Sequence, residues 1–281
     1  MKIIVIILAL GSVTGLATWL NTAYNVPKEP VITSSSLSIP ETYIGVDQQS
    51  ARFLDDRGRI NILVWNLYKQ HSSSVLNELT TYAKDQQLII LQEVKLSSSF
   101  MQFIKRRLGW LIWHTDAWEY RQEKHGVLTA ARVDPDRICA YLISEPWLRL
   151  PKSSMLSFYP LSSGELLAVA NIHAINFTWN LDKYRDQIAT LTQQLYFHGG
   201  PIIMAGDFNS WSKSRLMLLG EICQRLHLKE VGYNEEWLVK KFLSGVPLDH
   251  IFYRGLVTSN AWVESTENSD HSPIFARFST G

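Results

Sequence analysis

Short apolar runs that end in a polar side chain constrain this chain more than any other feature. Ile62-Leu63-Val64-Trp65 ends in Asn66, Leu88-Ile89-Ile90-Leu91 in Gln92 and Glu93, and Leu166 to Ile172 in His173, with Asn176 just beyond. Pro201-Ile202-Ile203-Met204-Ala205 turns through Gly206 into Asp207 and Asn209. Asp249 opens Ile251-Phe252-Tyr253, and Asp270-His271 precedes Pro273-Ile274-Phe275. Runs this short and this apolar read as strands covered on both faces. The carboxyl end of such strands is where an α/β sheet gathers its ligands. Each polar residue alone has a plainer reading: Asn66 as a turn residue, Asp207 with Asn209 as an Asx-turn, His173 as a core histidine. Repeated along one chain, the pattern points to a site.

The remaining elements limit the architecture. Strands are expected at Asn61–Trp65, Leu88–Leu91, Trp110–His114, Gly126–Arg132, Ile138–Ile143, Glu165–Ile172 and Pro201–Ala205, then at Asp249–Tyr253, Thr258–Trp262 and Pro273–Phe278. Amphipathic spacing predicts helices over Ser72–Gln86, Ser98–Leu108, Leu181–Phe197 and Lys213–Leu226, the first two begun by serines. Strands outnumber helices and the middle ones neighbour each other like hairpins. That argues against a single all-parallel sheet and fits two mixed sheets with helices outside.

The chain begins Met1-Lys2 and stays apolar from Ile3 to Leu20. Residues 1–24 therefore read as a signal peptide or an uncleaved membrane anchor, and either places the remainder outside the cytoplasmic membrane. Residues 25–51, rich in Pro, Ser and Thr, read as a linker, and 52–281 as one catalytic domain, expected as a monomer. A net charge of +1 offers no general field for nucleic acid. Cys139 and Cys223, the only cysteines, read as buried thiols.

The candidate site groups share one chemistry. Carboxylate and amide oxygens are hard ligands that suit Mg²⁺ or Mn²⁺ rather than zinc. Histidines and asparagines stabilise charge on a phosphoryl group without acting as nucleophiles. The Walker loop, the Gly-x-Ser-x-Gly elbow, His-Glu-x-x-His and Cys-x-x-Cys are all missing from the sequence, so NTPase, serine hydrolase and zinc protease readings lack their marks.

The ordered set Val64-Trp65-Asn66, Leu91-Gln92-Glu93, Asn171-Ile172-His173-x-x-Asn176, Gly206-Asp207-Phe208-Asn209, Leu248-Asp249-His250 and Ser269-Asp270-His271 resembles the endonuclease/exonuclease/phosphatase (DNase I-like) superfamily. That superfamily includes DNase I-like nucleases, apurinic endonucleases, neutral sphingomyelinases and inositol phosphatases. Trp-Asn-Leu-Tyr-Lys and His-Ala-Ile-Asn-Phe resemble a bacterial, exported or membrane-tethered branch. The resemblance implies a four-layer α/β sandwich of two central mixed sheets flanked by helices, and divalent-metal phosphoester cleavage. It casts Glu93, Asn66 and Asp270 on the metal side, and Asp207 as the aspartate that orients or deprotonates water. Asn209, His173 and Asn176 would contact the phosphate, and His271, oriented by Asp249, would face the transition state. Tyr68 stands where apurinic endonucleases carry an aspartate, which weakens a DNA-repair role.

Two substrate classes stay open. A nucleic acid would use Lys105-Arg106-Arg107, Arg121 with Lys124, or Lys240-Lys241. A phospholipid head group would use aromatic loops drawn from Trp110, Trp113, Trp118, Trp179, Trp211 and Trp237. The competing reading is a catalytically inactive binding module on the same fold, which would have lost one or more of these groups.

Overall fold

The computed structural model describes residues 24–34, 38–39, 43–45, 53–146, 150–176, 178, 181–241 and 245–281. The apolar leader and Trp179 lie outside them. Along the chain run β1 (Tyr24–Asn25), β2 (Val31–Ser34), β3 (Ser38–Ile39), β4 (Tyr43–Gly45), β5 (Arg59–Asn66), α1 (Val75–Tyr82), β6 (Leu88–Leu96) and α2 (Ser98–Phe103). Then come β7 (Leu111–Tyr120), β8 (Glu123–Ala131), β9 (Arg137–Ser144), β10 (Pro151–Pro160), β11 (Leu166–His173) and α3 (Asp182–Tyr196). The chain closes with β12 (Ile202–Asp207), α4 (Lys213–Arg225), β13 (Lys229–Glu230), β14 (Asp249–Arg254), β15 (Leu256–Val263) and β16 (Ile274–Thr280).

One sheet runs β15-β16-β5-β6-β8-β7-β2-β3 with β1 beside β7, and the other runs β13-β14-β12-β11-β10-β9-β4. β5 with β6 and β11 with β12 pair parallel, while neighbours such as β12 with β14 and β7 with β8 pair antiparallel. Both sheets are therefore mixed. Period-two alternation sends Ile60, Ile62 and Val64 between the sheets, to meet Val169, Ile203 and Ala205. The opposite faces meet the helices. Leu63 and Trp65 pack with Val75 and Leu79 of α1, and Ile202 and Met204 with Ile188 and Leu191 of α3. The result is four layers, helix, sheet, sheet, helix, and it explains why the runs are apolar on both faces.

Several elements differ from expectation. α1 starts later than Ser72, because the Ser72 hydroxyl accepts from Ser74 N–H and is hydrogen-bonded to Asn268, and no serine caps the helix. Ser97 does cap α2, accepting from Phe100 N–H at 3.2 Å. Part of the expected linker is sheet edge. Val31–Ser34 pairs with β7, and Ile32 is fully buried against Trp113, Val127 and Met155. These strands are too short for a period to show; pairing along the free edge of β7 orders them. β10 was not anticipated, because serines interrupt its apolar pattern at Ser153, Ser154 and Ser157. Cys139 and Cys223 are buried free thiols, as expected.

Candidate active site

Register alone brings much of the site together. In the second sheet His173 of β11 lies beside Asp207 of β12, and Asp249 of β14 lies beside Asp207 on the other side. In the first sheet the ends of β5 and β6 pair Asn66 with Gln92, one residue before Glu93. The two ends meet because Asn66 Nδ2 donates to Asp207 Oδ2 at 3.0 Å. Beneath them Gln92 Nε2 donates to Asn171 Oδ1 at 2.9 Å, a buried amide pair that links the sheets. Gly206 is required there. Its φ is +137°, and a Cβ would stand 2.2 Å from the Ile172 carbonyl oxygen.

Two site residues sit in left-handed backbone, Glu93 at φ +50° and Asn209 at φ +45°. Glu93 lies in a bulge where the β6–β8 register slips between Leu91 and Val94, and a bulge turns a side chain out of its strand's alternation. Asn209 closes the Asx-turn, donating its N–H to Asp207 Oδ1 at 2.9 Å. The turn and the site are thus one feature. The Asn209 amide Nδ2 donates to the Ala174 carbonyl at 2.8 Å, so it ties the loop after β11 to the loop after β12.

Four buried side chains surround Asp207. Besides Asn66, His173 Nε2 lies 3.7 Å and His271 Nε2 3.9 Å from its Oδ2. His271 Nδ1 is 2.7 Å from Asp249 Oδ2. Burial works against a charge on His271, but the Asp249 carboxylate, helped by Asp207 and Asp270, overcomes it and the imidazole pKa is raised to about 9. Asp207 is raised as well. Burial is the main cause, His271 opposes it and Asp249 adds to it. Burial and the Lys152 ammonium hold His173 well below the usual histidine range. Glu93 is partly buried, yet its carboxyl is held down at about 2, and with His173 neutral the positive charge beside it comes from Lys152 and Lys69.

The donor set fits a hard divalent cation. Ligand atoms of Asp207, Asp249 and His271 all lie within 4.8 Å of one another, but a charged His271 has no lone pair to give, so the hard donors gathered here are the carboxylates of Asp207 and Glu93 with the Asn66 amide. Asp270 does not join them. It is exposed and pairs with Lys240 at 3.4 Å, so it acts on His271 only as a more distant charge. The Asn176 backbone, not a phosphate, accounts for its described contacts. Its N–H donates to Glu145 Oε1 at 2.6 Å, and its carbonyl accepts from Arg215 at 2.8 Å. Of the expected aromatic loops, Trp110 and Trp113 are core, Trp237 is exposed, and Trp118 stacks on His125 with ring centroids 3.8 Å apart. Among the expected basic patches, Lys124 is paired to Asp116 and Lys240 to Asp270.

Of three further residues near the site, Lys152 and Arg215 have no sequence signal of their own, and Lys69 enters only as the end of Trp-Asn-Leu-Tyr-Lys. Lys152 Nζ lies 2.9 Å from His173 Nε2 and 3.8 Å from Glu93, and Lys69 Nζ lies 3.2 Å from Glu93. Arg215, only 1% exposed, donates to the carbonyls of Ile175, Asn176 and Asn209 and to Thr178 Oγ1. Its guanidinium sits between the Tyr184 and Trp211 rings, 4.3 and 4.6 Å from their centroids. A single buried cation thereby pins the loops after β11 and β12. Arg215→Ala is expected to cost on the order of 3 kcal/mol in denaturant unfolding, since it strands those carbonyls without donors. A change below about 0.5 kcal/mol, the range of ordinary surface substitutions, would deny it this role.

Comparison with known proteins gives one consistent result. A family model described as "Endonuclease/Exonuclease/phosphatase family" matches residues 63–271. The UPF0294 protein of Vibrio parahaemolyticus is 40% identical over 256 residues, which is 91% of this chain and 90% of that protein. An endonuclease/exonuclease/phosphatase from Beutenbergia cavernae superposes with a TM-score of 0.61 at 13% identity, over 80% of this chain and 72% of the other. D. rerio TDP2, solved with a single-strand DNA product, superposes at 0.57 and 16% identity over 79% and 99%.

Proposed function

The chain belongs to the endonuclease/exonuclease/phosphatase family, and from that premise we propose that it is a divalent-metal-dependent phosphodiesterase that cleaves by in-line attack of water. Members of the family are phosphoester hydrolases. The observation that carries the finer reading is the Asp249–His271–Asp207 chain of contacts at 2.7 and 3.9 Å beside Glu93. Asp207 accepts the proton of the attacking water at Oδ2, the oxygen that faces His271 and Asn66. His271, held in its charged form by Asp249, donates from Nε2 to the non-bridging oxygens as negative charge builds on them. Asn209 keeps Asp207 in place through its N–H. Glu93, with Asn66, would hold Mg²⁺ or Mn²⁺, which when bound neutralises charge on the phosphoryl group.

The leader motivates the location. Ile3–Leu20 supports action outside the cytoplasmic membrane, by export or tethering. Among the described residues no helix is long and apolar enough to cross a membrane. The substrate is a phosphodiester of nucleic acid or phospholipid head-group type. The test is hydrolysis of bis(p-nitrophenyl) phosphate with Mg²⁺, with EDTA, and by Glu93→Gln. Activity is expected only in the first, and metal affinity is expected to fall together with activity in the variant. Full turnover in excess EDTA would refute metal dependence.

A further inference from the structure

We propose that Lys152, with Lys69 beside it, forms a subsite for a second phosphate on the substrate, next to the one being cleaved; the proposal rests on the phosphodiesterase reading above. Lys152 comes from β10, which pairs with β11 through Ser154 and Ile172, so it reaches the same end as His173. Its ammonium donates to His173 Nε2 at 2.9 Å and lies 3.8 Å from Glu93 Oε1. Lys69 reaches Glu93 Oε2 at 3.2 Å from a loop clamped to β6, where Gln70 accepts from Lys95 N–H at 2.7 Å.

Charge counting then points to an anion. Two ammonium groups flank the Glu93 carboxylate, and with the charged His271 they balance Glu93, Asp207 and Asp249. Around them the described charged groups are matched, Lys95 with Glu123 at 3.7 Å and Lys124 with Asp116 at 2.8 Å. A divalent cation on Glu93 would tip this balanced cluster to net positive charge, which an anion beside the two lysines would offset. The Lys152 side chain is 21% exposed, so its charge is partly desolvated and acts at short range with little screening. The His173 contact aims it into a cleft shared with Lys69, Trp118, His125 and Gly126. His125 stacks flat on Trp118, at 10° between planes, which fixes the far wall. Lysine binds phosphate as a point charge, and two lysines on one side favour a dianionic phosphate. The same charges repel a cationic choline head group.

The test compares deoxythymidine 5′-(p-nitrophenyl phosphate) with its 3′-phosphorylated form, and with p-nitrophenyl phosphorylcholine, all with Mg²⁺. The wild type is expected to prefer the 3′-phosphorylated ester by about tenfold in kcat/KM, roughly the worth of one charge-assisted contact. The choline ester should be the poorest. Lys152→Gln should bring the preference to near unity, and Lys152→Arg should retain it. A wild-type ratio near one, an unchanged ratio in Lys152→Gln, or choline as the best substrate overturns the subsite. Should none of the esters turn over, the hydrolase reading fails, and calorimetry decides the subsite separately. Thymidine 3′,5′-bisphosphate should then bind about tenfold more tightly than the 5′-monophosphate, with the gain lost in Lys152→Gln. Equal affinities would refute it.

Discussion

Asp207→Asn is expected to lower kcat on the order of 10³-fold, within the range that a positioned general base supplies. The substitution keeps the shape of the side chain and removes the proton acceptor. Asp207 is 2% exposed, its partners are in place at 3.0 to 3.9 Å, and among the described residues no other carboxylate contacts both Asn66 and His271. Stability should move the other way. Burial and Asp249 disfavour the ionised Asp207, so a neutral amide relieves the fold of a poorly solvated charge. Thermal melting in EDTA should therefore place the variant at or above the wild type, the usual signature of a group kept for function. A kcat within tenfold of the wild type would remove Asp207 from the chemistry.

His271→Ala is expected to cost about 10²–10³ in kcat, comparable to the loss of one oxyanion donor. His271 Nε2 points towards Asp207, while Nδ1 is bound by Asp249, so the ring has one end free for the phosphate. Its pKa near 9 means that it stays charged through neutral pH, and activity should decline on the alkaline side as that charge is lost. Asp249→Asn removes the charge that holds the pKa up. The alkaline limb should consequently shift to lower pH, with a smaller loss of kcat at the optimum than in His271→Ala. An unmoved limb would show that Asp249 does not set the protonation of His271.

Much of this site can be read from strand ends, and the reason is physical. Strands covered on both faces must be apolar throughout, so Asp207, Glu93, Asn66 and His173 stand out where the cover stops. The Gly206-Asp207-Phe208-Asn209 turn carries its own hydrogen bond, which local sequence can announce. Other parts depend on tertiary context. Lys152 lies on a strand whose serines hide its period, although prolines bound it at both ends and Met155, Leu156, Phe158 and Tyr159 fill it. Asp270 adjoins His271 in sequence, but adjacency does not fix direction, and Lys240 draws it to the surface. The N-terminal arm has no period to read, and only the edge of β7 makes Val31–Ser34 a strand. β7 and β8 also run longer than their apolar cores, because Arg121 and Gln122, at φ +50° and +66°, join them in a tight hairpin whose arms are charged.

Hydrolysis of an aryl phosphodiester in ¹⁸O-labelled water, with and without Mg²⁺, tests the central claim most directly. Attack by an Asp207-activated water places one labelled oxygen per turnover in the phosphate-bearing product, and only when the metal is present. Label in the alcohol product, or equal turnover without metal, would contradict the account.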